Sequence, residues 1–141
     1  MNPAARPQRT AWGWLLSLLA IGFGLLTLRE GGAVLFFDGA ARRAAGHYVP
    51  FVLWLNFLAG FAYIIAGVGL WRRRRWAVWL ATAIAVATAL GFLAFGVHVL
   101  LGGAWEPRTP VAMTLRILVW VGIATLAWRR SAADAPAGHE H

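Results

Sequence analysis

Four consecutive arginines, Arg72, Arg73, Arg74 and Arg75, stand between Trp71 and Trp76, and a long apolar run leads away from each tryptophan. Arginine is costly to carry through a bilayer and tryptophan rings settle at headgroup level, so this pattern reads as the turn of a membrane hairpin held on the cytoplasmic side. The four arginines are topology determinants. They set the direction of every other segment.

Composition agrees with that assignment. The chain is 60% hydrophobic and 13% charged, with a mean hydropathy of +0.65 over 141 residues, whereas about a quarter of a soluble domain is charged. A formal charge of +8 and a pI near 11.8 would point to nucleic acid in a soluble chain. Here the arginines stand at the ends of apolar runs, where topology asks for them, so no nucleic-acid partner is expected. The absence of cysteine excludes disulfides, thiolate metal sites, iron–sulfur clusters and cysteine nucleophiles.

Residues 1–10 are polar and basic, with Arg6 and Arg9, and read as a cytoplasmic leader. An uncharged run follows over residues 11–28, longer than a signal-peptide core, so an uncleaved first span is expected. Residues 29–47 hold Arg29, Glu30, Asp38, Arg42, Arg43 and His47 around a phenylalanine patch, Phe36 and Phe37. Glycines punctuate this stretch, which predicts a loop lying in the outer interface, with continuation of the first helix as the alternative.

A second span is expected over 49–71, with Pro50 in its first turn. On it Asn56, Gly60, Tyr63 and Gly67 recur at helical spacing and form one intramembrane stripe, of which Asn56 and Tyr63 are the polar members. Such a stripe serves helix packing and one interhelical hydrogen bond before it serves a ligand. The third span, over 76–101, places Ala87, Gly91 and Ala94 on the same face as His98. Thr109 and Pro110 read as a cap and a first-turn proline opening a fourth span over 110–128. That span contains Arg116, about 9 Å of helix rise from its start. Residues 131–141 read as a disordered tail, so the membrane domain covers 11–130.

The fold class that follows is all-α: a polytopic membrane protein with a four-transmembrane-helix antiparallel bundle and both termini cytoplasmic. Arg6, Arg9, Arg72, Arg73, Arg74, Arg75, Arg129 and Arg130 then lie inside, against Arg29, Arg42, Arg43 and Arg108 outside. The localisation expected is a bacterial inner (plasma) membrane crossed several times.

Titratable side chains gather on the outer side, where His47, His98, Glu30, Glu106 and Arg116 form a candidate ligand or packing cluster. His47, His98 and Glu106 are weak metal candidates, since imidazole and carboxylate suit zinc, copper or non-haem iron. No paired-histidine spacing supports them, and no cofactor is expected. For His98 the competing reading is an interfacial histidine bonded to a carbonyl or carboxylate. For Arg116 it is a side chain that snorkels past Ala112, or pairs with Glu30 or Glu106. The sharper reading gives Arg116 an anionic group, a quinone carbonyl or a lipid phosphate. His139, Glu140 and His141 read as inert.

Phosphate loops, nucleophile elbows, dinucleotide fingerprints and zinc-protease motifs are all lacking. The expected function is therefore a non-enzymatic accessory or assembly subunit of a membrane complex, with the bilayer, a homo-oligomer or a larger complex as partners. The alternative is a ligand-handling protein, a small transporter or a metal- or haem-bearing electron carrier that uses the outer cluster.

Overall fold

A computed structural model describes residues 7–37 and 39–134. Among the described residues five α-helices follow one another: α1 (Pro7–Gly32), α2 (Gly39–Ala45), α3 (Pro50–Trp71), α4 (Arg75–Leu100) and α5 (Arg108–Ala133), with a π-helical segment, Ala33–Phe37, between α1 and α2. There is no strand among the described residues. Four stretches are long and apolar enough to cross a membrane: Ala11–Phe37, Pro50–Trp71, Arg75–Leu100 and Arg108–Ala133. Large apolar side chains accordingly cover the outside, among them Leu18, Leu58, Trp79, Leu93 and Leu118, an arrangement that water would penalise and lipid does not.

The stretch expected as an outer loop is mostly helical. Helix α1 runs through Arg29 and exposed Glu30, and the chain then widens into the π segment. Arg42 of α2 reaches back to two carbonyls of this segment, Nε donating to Val34 O and Nη2 to Leu35 O, both at 2.9 Å. Phe36 packs edge-on against Trp54 and Phe57 of α3, while Phe37 is exposed. The glycines at 31 and 32 permit close packing on Phe57 rather than a turn. Asp38, Arg6 and the His139, Glu140, His141 ending lie outside the described residues, as do most of the leader and of the tail.

Helices α1 and α3 meet most closely. A Cβ on Gly24 would stand 2.8 Å from the Gly60 carbonyl, and one on Gly67 would stand 3.1 Å from the Ser17 carbonyl, so the two backbones nearly touch. Small residues at such spacing are how helices associate in lipid. On α3 the predicted stripe is seen in part: Gly60, Tyr63 and Gly67 are buried and Asn56 is half-buried.

The stripe expected on α4 is displaced. Ala87 and Ala94 are exposed, and the buried face runs through Ala81, Ile84, Thr88, Gly91 and Phe95. Alanine occurs all round this helix, so smallness did not mark the inner face; the larger Ile84 and Phe95 do.

Two buried clusters fill the interior, one around Tyr63, Ile84 and Trp120, the other around Val49, Val52, Phe95 and Met113. The turn between α3 and α4 is a Schellman motif, with Arg73 N–H donating to Leu70 O and Arg74 N–H to Gly69 O. Its C′ residue is Arg73 at φ 53, a left-handed backbone usually given to glycine and costing another residue about 1 kcal/mol.

Candidate functional site

Helix α5 begins at Arg108, earlier than expected, and Thr109 is not its cap; the Thr109 N–H donates to Glu106 O. Arg116 consequently lies about 12 Å of rise into the helix. It also sits between the two buried clusters, with Met113 of one a turn before it and Trp120 of the other a turn after it. Only 9% of Arg116 is exposed. It does not snorkel, and among the described residues it has no carboxylate partner.

Its surroundings come from all four long helices. The guanidinium carbon lies 5.8 Å from the centre of the Phe23 ring of α1, and Phe23 packs on Tyr63 of α3 at 5.8 Å between centroids. Tyr63 in turn lies 4.6 Å from the Trp120 ring. Thr88 of α4 is buried at a similar level, its hydroxyl donating to Ile84 O at 2.8 Å. Tyr63, Thr88 and Trp120 all sit near the midpoints of their helices. The result is an aromatic cage at mid-depth.

Hydrogen bonding inside the cage is incomplete. Arg116 Nε and Nη1, the Tyr63 hydroxyl and the Trp120 indole nitrogen are buried without a well-formed hydrogen bond, although the Tyr63 hydroxyl lies close enough to Arg116 and Thr88 to interact with both. Burying one unpaired polar group costs about 1–3 kcal/mol, and a charged one costs more. Arginine and indole are donors only. The Tyr63 hydroxyl can accept as well as donate, so the cage holds more donors than acceptors. Beside it a cleft of about 260 Å³ runs between α3 and α4, lined by Asn56, Tyr63, Thr88 and Met113 among mostly apolar residues. Tyr63 belongs to both cleft and cage.

At the opposite end from the arginine turn, the loop groups are satisfied. Glu106 Oε1 accepts the His47 backbone N–H at 2.8 Å and lies 3.4 Å from His47 Nδ1. The His47 N–H above all holds the Glu106 carboxyl below its usual range. Gly46, at φ 65, makes the approach possible: a Cβ there would collide with the same carboxylate. His98 Nε2 is bonded to Ala104 O at 3.1 Å, and its ring stands edge-on to Phe51.

The expected outer cluster is thus divided. Glu106 and His47 meet, His98 takes a loop carbonyl, Glu30 stands exposed on α1, and Arg116 is in the interior. Among the described residues no group of three or more histidine or acidic side chains could hold a metal ion. Phe23, Thr88 and Trp120 were not singled out from the sequence; their shared position at helix midpoints was the available signal.

Four helices able to cross a membrane, closed around buried polar groups, define a multi-pass integral membrane protein. Beyond that class, the chain matches no family model, no curated protein and no solved structure.

Proposed function

We propose that this is a ligand-handling membrane protein whose cage around Arg116 binds a lipophilic molecule through a carbonyl or carboxylate oxygen. The observation that carries the reading is the set of unpartnered donors on Arg116 and Trp120, joined by the Tyr63 hydroxyl. One oxygen acceptor among them would satisfy groups that are otherwise costly to bury. The cleft between α3 and α4 offers a lateral way in from the bilayer, and its apolar lining suits the body of such a molecule. The role is binding or carriage.

The bundle is read as antiparallel, in a bacterial inner membrane, with both termini cytoplasmic. Contacts of Ser17 with Gly67 and of Gly24 with Gly60 support opposed directions for α1 and α3, and the arginine distribution supports the orientation. A single cysteine replacing Ala104 should react with an impermeant thiol reagent in intact cells, whereas one replacing Ser131 should not.

The ligand is tested by organic extraction of the purified protein followed by mass spectrometry, wild type beside Arg116→Met. A compound bearing a carbonyl or carboxylate should accompany the wild type and be lost from the variant. Identical extracts would defeat the reading. An accessory subunit is the second reading, favoured by Asn56, whose amide lines a cleft open toward lipid and could bond a partner helix. In that case Asn56→Leu should release a co-purifying protein and leave the extract unchanged.

A further inference from the structure

A second cavity, at the arginine end, is independent of the Arg116 cage. It measures about 430 Å³ and is lined by Arg73, Arg74 and Arg75 of the turn and Arg130 of α5, with Asp134 as the carboxylate. Among the described residues the lining holds four arginines and one carboxylate, so the cavity is electropositive. The remaining walls include Leu16, Leu70, Val78 and Ala127, so an electropositive space adjoins an apolar one. Trp14 and Trp71 lie against each other at this end, 5.3 Å between ring centres, which sets it at headgroup level.

Topology asks for positive charge near the turn, and any arrangement of arginines would supply it. Two local features go further. Arg73 holds the left-handed position of the Schellman turn, where glycine would be unstrained. Gly13 of α1 leaves room for Arg130, because a Cβ there would stand 2.9 Å from Arg130 Nη1. The first keeps a guanidinium beside the cavity at the expense of a simpler local choice, and the second gives the Arg130 end room.

We propose that this cavity binds the phosphate of an anionic lipid headgroup, with the acyl chains continuing along the apolar walls. Guanidinium forks match phosphate oxygens in pairs, and basic pockets between membrane helices take such headgroups. A phosphomonoester lipid, with up to two negative charges, suits the charge surplus better than a zwitterionic one.

Native mass spectrometry of the full chain in mild detergent tests this, with phosphatidic acid, phosphatidylcholine and inorganic pyrophosphate as probes. Wild type should retain phosphatidic acid about tenfold more than phosphatidylcholine, and pyrophosphate should neither bind alone nor displace the lipid. Arg73→Gly keeps Arg72, Arg74 and Arg75 for topology and relaxes the turn, so it should fold at least as stably while losing about tenfold in phosphatidic acid retention. Gly13→Ala leaves the charge unchanged and crowds only the flexible end of Arg130, so it should lower retention by less than Arg73→Gly does. Equal retention of the two lipids by wild type, or undiminished retention of phosphatidic acid by both variants, would overturn the proposal. Tight binding of pyrophosphate that expels the lipid would overturn it too, in favour of a soluble phosphate compound.

Discussion

The loop end and the middle of this bundle both hold polar groups, yet they stand in opposite conditions. At the loop end Glu106 meets His47, and His98 meets Ala104; water is near and each group has an answer. At mid-depth Arg116, Tyr63 and Trp120 bring together more buried donors than the cage can answer. The comparison teaches that a crowd of titratable residues is a poor guide to a site in a membrane protein. Unanswered hydrogen-bonding capacity in a place where lipid cannot supply it is the better guide.

Mutations can sharpen or break this contrast. The largest effect should come from Trp120→Ala, which empties a fully buried position and should cost about 3–5 kcal/mol in reversible unfolding. Arg116→Met should act in the other direction. In ligand-free protein it removes an unpaired buried charge and should stabilise the bundle by about 1–3 kcal/mol, seen as a higher unfolding temperature in detergent. A loss of stability instead would mean that the cage is already satisfied, and the contrast would fail.

The loop end should respond more gently. Gly46→Ala puts a side chain on a left-handed backbone facing Glu106 and should cost about 1 kcal/mol, measured as a lower unfolding temperature. The smallest effect is one of pH. Glu106 has a lowered pKa through its contact with the His47 N–H, so its contribution is present above the ordinary glutamate value of 4.5 and fades as pH falls through the lowered one. Amide exchange at His47 should quicken on that acid side, relative to the same amide in Glu106→Gln, and stay level from there to neutrality.

Much of the architecture could be read from residue order. Arginines and tryptophans at the ends of apolar runs announce four membrane-length helices, and Pro50 takes the first position of α3 as its missing N–H allows. Residues 29–47 misled because glycine signals a break in water but close packing between helices, and because Arg42 reaches back to carbonyls eight and seven residues away. The cage was less legible still. Its members Phe23, Tyr63, Thr88 and Trp120 come from four separate helices, and each looks like ordinary packing until the rotation of each helix is known. Arg116 was conspicuous, but its depth depended on where α5 begins, and Pro110 marked that start two residues late.

The near contact of Gly24 with Gly60, and of Ser17 with Gly67, has a bearing on how the chain is made. Every residue in that contact precedes the arginine turn. During synthesis the α1 and α3 pair is thus complete before α4 has left the ribosome, and it can associate in the bilayer as a first folding unit. Arg116 arrives last, on α5, when Phe23 and Tyr63 are already in place to receive it. The costliest side chain in the membrane is the one whose surroundings are built beforehand.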